Sequence, residues 1–318
     1  MVDISEFNAA LALEAALVTE KAAIAAYDKV GRGDEKAADQ AAVNAMRAAL
    51  NALNIKGRIV IGEGERDDAP MLYIGEEVGT GKGIELDIAL DPLEGTTLTA
   101  KAMPNALAVM AFAPRGGLLH APDTYMEKIA VGPGYPDGIV DLDSSPADNV
   151  RAVAKHKGVK PEHVTVCVMD RARHGKLIGH LRELGCRVAL ISDGDIQGVI
   201  NTTDPSTGVD LYLGSGGAPE GVLAAAALKC TGGQMQGRLV FRNDDEVNRA
   251  RNVGIDDLDA KYDLSGLASG PTIFSATGVT AGSLLDGVRY ESGFVSTQSL
   301  VMNSVDKTVS RLRSRRPA

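Results

Sequence analysis

Twice within the first hundred residues an apolar run gives way to closely spaced carboxylates with a glycine beside them. "RIVIG" leads into "EGERDD", and "GIELDIAL" leads into "DPLEGTT". Runs of this kind read as strands. In α/β sheets, ligands sit beyond the carboxyl ends of strands. Two strands that deliver acids at their ends therefore point to an α/β sheet with a polar site at its edge. In the second run Ile84, Leu86, Ile88 and Leu90 face one way, and Glu85 and Asp87 the other.

The remaining elements fit the same class. A long helix is expected over 5–29, with Ser5 as N-cap and Asn8 following, since "LALEAALVTEKAAIAAY" is rich in strong helix formers. "GRGD" at 31–34 breaks it, and a second helix is expected over about 36–53. Residues 106–113 and 118–131 read as an antiparallel pair turning at "PRGG". The later half changes rhythm: helix 147–157, strand 164–169, helix 174–184, strand 187–191, strand 209–213, then "GSGGAPEG" opening the helix "VLAAAALK". That alternation predicts a partly parallel sheet. A chain of 318 residues suits one large unit or two intimate subdomains, here divided as 1–145 and 146–318. The basic tail "RLRSRRPA" reads as a solvated end.

A net charge of −9 argues against a nucleic-acid partner, which needs clustered Lys and Arg. It leaves room for a phosphorylated small molecule, because metal ions supply positive charge locally. Three separated cysteines without a CxxC suit a reducing compartment. "MVDISEFNAA" has no basic n-region or apolar core, and runs such as 106–113 are too short to span a bilayer, so a cytoplasmic protein without a membrane partner is expected.

In "DPLEGTT", Pro92 pushes Asp91 to an extended conformation. The three-residue gap brings Asp91 and Glu94 to one point. Gly95 permits close backbone approach, and amides there can receive an anion. Hard oxygen ligands select Mg²⁺ or Mn²⁺ over Zn²⁺. The plainer alternative is that Asp91 and Thr96 cap a helix. Glu63, between two glycines at a strand end, reads as a further ligand, while Asp68 reads as an exposed acid. Glu220, just inside a helix start after three glycines, fits a ligand or a favourable dipole position. Asp39 falls on an alanine-rich helix surface, where a ligand and an exposed acid fit the spacing equally. "GEEVGTGKG" is not a P-loop, "GSGGAP" lacks the last glycine of a dinucleotide fingerprint, and "DGD" is too short for an EF-hand.

Asp91–Pro–Leu–Glu94–Gly–Thr96, with "GEGE" upstream and a late Gly-rich acidic turn, resembles the lithium-sensitive, metal-dependent sugar phosphatases. Glu as the second acid, together with "IVIGEGE", "YMEKIAVGPG", "DGD" and "GGAPEG", is similar to the class II fructose-1,6-bisphosphatases, from about residue 5 to about 313. The resemblance implies a layered α-β-α-β-α fold with mixed sheets. It implies Mn²⁺ or Mg²⁺, two or more per site, with Asp39 and Glu63 at one ion and Asp91, Glu94 and Glu220 at the other. Substrate contacts would come from Glu94, Gly95, Thr96, Tyr125 and Gly217. The segments Arg171–Ala172–Arg173 and Asp193–Gly194–Asp195 would add to them. Thr96, with Asp39 or Asp67, would orient and deprotonate the attacking water. The substrate would be fructose 1,6-bisphosphate, and for some relatives also sedoheptulose 1,7-bisphosphate. A homo-oligomer, dimer or tetramer, is the expected assembly. Two rival readings are another phosphatase of the inositol monophosphatase type and a catalytically silent sugar-phosphate-binding regulator. Three places depart from the family pattern: Glu35 where Lys is frequent after "GRGD", Thr97 where a basic residue is frequent, and the stretch Arg171–Ala172–Arg173 where Lys-Pro-Arg is frequent.

Overall fold

A computed structural model describes residues 4–64 and 71–318. Asp67 and Asp68 of the acidic loop lie outside the described residues. In chain order the elements are α1 (Ala9–Tyr27), α2 (Glu35–Asn51), β1 (Ile55–Ile61), β2 (Glu77–Val78), β3 (Ile84–Glu94), α3 (Thr96–Ala100) and β4 (Leu107–Pro114). There follow β5 (Tyr125–Val131), α4 (Pro146–Lys157), β6 (Thr165–Met169), α5 (Gly175–Glu183), β7 (Arg187–Ile191), α6 (Asp195–Ile200), β8 (Leu211–Gly217) and α7 (Ala218–Thr231). The chain closes with β9 (Gln234–Val240), α8 (Asp244–Asn252), β10 (Lys261–Asp263), α9 (Leu264–Leu267), β11 (Ile273–Gly278), β12 (Arg289–Glu291), β13 (Phe294–Asn303) and β14 (Thr308–Pro317).

These form two compact units, one of Met1–Leu119 with Ser269–Ala318 and one of His120–Ala268. The second is therefore inserted in the first, and the chain returns to its starting unit, whereas the sequence reading placed one boundary near 145. Each unit holds one mixed sheet with helices packed on it, as expected of a layered α/β phosphatase fold.

The first unit's sheet runs β12-β13-β11-β4-β3-β1-β2, with β14 also on β13. Strands β1 and β3 are parallel, with Ile61 opposite Ala89. Their carboxyl ends therefore open on the same side of the sheet. Asn8 caps α1 by accepting from the amides of Ala10 and Leu11, while Ser5 sits in a preceding 3₁₀ turn, so the expected cap moves by three residues. Phe7, Met46, Leu50, Ile88 and Phe112 belong to the core beneath. Asp87, expected to face away from the apolar row, is also buried. Its Oδ1 accepts from Arg58 at 3.1 and 2.9 Å and its Oδ2 from the Gly116 amide at 2.6 Å.

Two further expectations change. The stretches 106–113 and 118–131 do not form a hairpin. Strand β4 pairs β3 and β11, while β5 pairs β8 and β9 in the other unit. The Gly117 amide donates to Pro114 O and makes the turn, but the chain then leaves the sheet. The basic tail is not a solvated end: β14 pairs β13 along its whole length, from Thr308 opposite Asn303 to Pro317 opposite Phe294. Alternate residues of β14 turn inward, and Leu312 reaches the core.

The second unit's sheet runs β10-β9-β5-β8-β6-β7. As the alternation implied, β6 is parallel to both β7 and β8. Strand β5 is antiparallel to β8 and β9, and Tyr125 lies opposite both Gly217 and Val240. The amino end of β5 thus meets the carboxyl ends of β6, β7, β8 and β9 at one end of this sheet.

Candidate active site

The first unit brings its acids to the open ends of β1 and β3. Strand β3 does not stop before the motif but runs through Glu94, and its pairing to β4 shifts register between Asp91 and Glu94. Asp91 Oδ1 accepts from the Leu93 amide at 3.0 Å, a local turn that holds the carboxylate at the shift. Gly95 then adopts a left-handed conformation, φ 90°, and α3 starts at Thr96. Gly95, not Asp91 or Thr96, occupies the N-cap, and no side chain caps this helix. The capping alternative for the motif therefore fails, and the left-handed turn explains why glycine is needed.

Glu63 stands two residues past the end of β1, after Gly62, its amide donating to Leu72 O at 3.1 Å. Burial pushes the Glu63 carboxyl up to about 8, and the nearby charge of Asp39 adds to it. Asp39, on the half-buried side of α2, is raised by burial as well. Two shielded acids are unfavourable while both are charged, so either one holds a proton or a cation joins them. The two departures Glu35 and Thr97 meet: Thr97 Oγ1 donates to Glu35 Oε1 at 2.8 Å.

The second unit gathers its predicted residues at the sheet end described above. Gly217 ends β8 and leads straight into α7, whose third residue is Glu220. A Cβ at Gly217 would collide with Glu220 Oε2, so the bare backbone makes room for that carboxylate. Glu220 Oε2 is shut off from solvent and makes no hydrogen bond. Burial raises the Glu220 carboxyl to about 7, with the Asp195 charge adding and the Lys128 charge opposing.

Asp195 opens α6 and is buried, and its Oδ2 accepts from Lys128 Nζ. Lys128 was missed by the sequence reading. It sits on the face of β5 shared by Met126 and Ala130, all buried. A lysine on an otherwise apolar strand face is the signal that would have found it.

Arg171, Ala172 and Arg173 leave the end of β6. His174 pins this segment: its Nδ1–H donates to Met169 O at 2.8 Å and its Nε2 accepts from the Ser215 amide at 2.9 Å. Burial lowers the His174 pKa, which favours this neutral, accepting form. Arg173 donates through Nε and Nη2 to Ser215 O at 3.2 and 2.7 Å, and its guanidinium lies 4.8 Å from the Tyr125 ring centre. Arg171 approaches Asp193 Oδ1 at 3.6 Å, and the same oxygen accepts from the Gly194 amide at 3.2 Å.

Among the described residues, no three His, Cys, Asp or Glu side chains converge into a complete cage for a metal. The donor set is all oxygen. The shielded pair Asp39 and Glu63 is what a divalent cation would neutralise. The residues present fit the ion.

Residues 9–316 match the family described as "Bacterial fructose-1,6-bisphosphatase, glpX-encoded". The chain is 46% identical to "Fructose-1,6-bisphosphatase 1 class 2" of Escherichia coli K12, over 96% of this chain and 94% of that protein. It is equally similar, 46% with the same coverage, to the class 2 enzyme of Shigella flexneri.

Proposed function

The chain belongs to the bacterial, class II fructose-1,6-bisphosphatase family, and from that premise we propose how its residues carry the reaction. It hydrolyses fructose 1,6-bisphosphate to fructose 6-phosphate and phosphate, a step of gluconeogenesis. Water oxygen bonds to phosphorus, the bond from phosphorus to the C1 oxygen breaks, and that oxygen leaves as the sugar hydroxyl.

The first unit supplies the reacting end. Asp39, Glu63, Asp91 and Glu94 would hold divalent ions, Mn²⁺ or Mg²⁺. When bound, such ions neutralise phosphoryl oxygens and lower the pKa of a coordinated water. The Thr96 hydroxyl accepts from the water and donates to a carboxylate at the same time. Asp39 or Asp67 is the acid that receives the proton. Gly95, held left-handed, lets this hydroxyl and the first amides of α3 approach the phosphoryl group.

The second unit supplies recognition. Arg171, Arg173 and Tyr125 would bind the phosphate that is kept, because a planar guanidinium fork matches phosphate oxygens. Asp193, Gly194 and Asp195 would accept from sugar hydroxyls, with Asp195 fixed from behind by Lys128. The bare Gly217 backbone would lie against the sugar. The observation that carries this reading is that the neighbouring parallel strands β1 and β3 bring Glu63, Asp91 and Glu94 to the same end of the first unit's sheet.

Phosphate release from fructose 1,6-bisphosphate, an inositol monophosphate and an adenosine bisphosphate, each with Mn²⁺, Mg²⁺ or chelator, tests it. Release from the sugar bisphosphate alone, abolished by chelator, is expected. Preference for either other substrate would overturn the substrate reading, and undiminished release in chelator would overturn the metal reading. Sedoheptulose 1,7-bisphosphate, added to the same panel, shows whether the activity extends to a seven-carbon sugar.

A further inference from the structure

Tyr125 carries two guanidinium groups. Arg173 lies 4.8 Å from its ring centre and Arg242 lies 4.5 Å from it. Arg242 follows the end of β9, whose last residue, Val240, is directly opposite Tyr125. It therefore stands at the sheet end where Tyr125, Arg173 and Gly217 already meet. Nothing in the local sequence "VFRNDD" sets it apart.

Arg242 is held in place from behind. Its Nε and Nη2 donate to Glu246 Oε1 at 2.6 and 2.5 Å, and its own amide donates to Glu246 Oε2 at 2.8 Å. Glu246 is buried and also accepts from Thr124 Oγ1 at 2.8 Å, and Thr124 precedes Tyr125. The contacts of Arg242 and Arg173 use the Nε–Nη2 edge, and among the described residues Nη1 takes part in none of them. The Arg242 side chain is half exposed. Glu246 balances one positive charge, and among the described residues no carboxylate pairs with Arg173. Two fixed guanidiniums on one ring, with one charge left over and two donor edges open, form a receptor for a doubly charged, multi-oxygen anion.

We propose that Arg242 is a further substrate-binding residue, the second guanidinium on the sugar's retained phosphate, with Glu246 as its positioning residue. This rests on the reading of Arg173 and Tyr125 as that phosphate's binding groups. It adds a residue from β9 to a site otherwise built from β5, β6 and β8. A bisphosphate would then be favoured over a sugar with a single phosphate because two forks, not one, engage the retained group.

The test is steady-state kinetics on Arg242→Ala and Arg242→Lys, with competitive inhibition by fructose 6-phosphate. Losing a charge-assisted contact should raise KM for fructose 1,6-bisphosphate and Ki for fructose 6-phosphate together, by about tenfold to a hundredfold. The fall in kcat should be smaller than the rise in KM. Arg242→Lys should recover part of the loss, since it keeps the charge without the fork. An unchanged Ki, or a fall in kcat with KM unmoved, would overturn the proposal. If Arg242→Ala leaves Glu246 uncompensated and the protein unfolds, Arg242→Gln with Glu246→Gln removes both charges and carries the same expectations. Arg173→Ala, run in parallel, separates the two levels. If it fails to raise Ki, the phosphate-subsite reading itself falls. If it raises Ki and the Arg242 variants do not, only this inference falls.

Discussion

Glu63 and Glu246 are two shielded glutamates, one in each unit, and they are driven in opposite directions. Burial raises both. For Glu63, burial and the Asp39 charge carry the carboxyl to about 8. For Glu246, hydrogen bonds from the Arg242 side chain and amide and from Thr124 outweigh burial and bring it down to about 2. The difference is a built-in cation. Glu246 has its counter-charge in the chain and acts as structure. Glu63 has only another acid, Asp39, acting on it, which is what the proposed role as a cation ligand calls for. Asp195 likewise has a counter-charge in the chain, from Lys128. Glu220, with a shut-off oxygen, is raised as Glu63 is.

The variant that would break this contrast most severely is Glu94→Gln, which keeps shape and removes one ligand charge from the strand end. The fold should persist and activity should fall by several orders of magnitude, a loss of about 4 kcal/mol or more of transition-state stabilisation. Near-normal turnover at saturating metal would remove Glu94 from the ligand set.

Thr96 sharpens the contrast from the chemical side. Thr96→Val should lose about 10²- to 10⁴-fold in kcat while keeping metal and substrate affinity, and Thr96→Ser should retain a measurable share. The structure removes the competing role, because Gly95 occupies the N-cap of α3. A lowered Tm with intact kcat would make Thr96 structural instead.

Much of this architecture was readable because it is local. The alternation in 164–191 is set by period and turn residues, and β6, α5 and β7 lie where these place them. Glu63 comes just past the end of β1, whereas Asp91 and Glu94 ride on the last residues of β3 itself, beyond its apolar run. What failed was pairing at a distance. Residues 107–114 and 125–131 are both apolar and separated by a turn, so a hairpin fits them, but each finds better partners far along the chain. Strand β14 was hidden by its arginines, although Arg311, Arg313 and Arg315 alternate as a strand's outer face does. Lys128 carried a signal in its apolar neighbours at two-residue spacing. Arg242 carried none, since its place depends on β9 lying beside β5.

Glu246→Gln tests the structural side of the comparison. It should cost about 1–3 kcal/mol of stability, because hydrogen bonds to a charged group are lost around Thr124 and Arg242. The folded-state pKa is below the unfolded value, so this contribution is present at neutral pH and fades as pH falls through the usual carboxylate range toward about 2. Chemical denaturation of wild type and variant across that range should show the two curves converging in acid. A constant gap would mean that Glu246 acts by packing and not by charge.

The smallest effect is also the most direct test of the central claim, that the strand-end acids of the first unit are reserved for a divalent cation. The measurement is the thermal midpoint of wild type and Glu63→Gln, with and without Mn²⁺, as a function of pH. Without metal, the raised Glu63 pKa means that folded wild type holds a proton the unfolded chain has released between pH 4.5 and about 8. Its stability must then fall as pH rises through that window. Glu63→Gln should escape this loss and melt a few degrees higher than wild type near pH 8, with the gap closing toward acid. Adding Mn²⁺ should reverse the order, raising wild type more as pH rises and moving the variant little. An equal Mn²⁺-induced rise in both proteins would contradict the assignment.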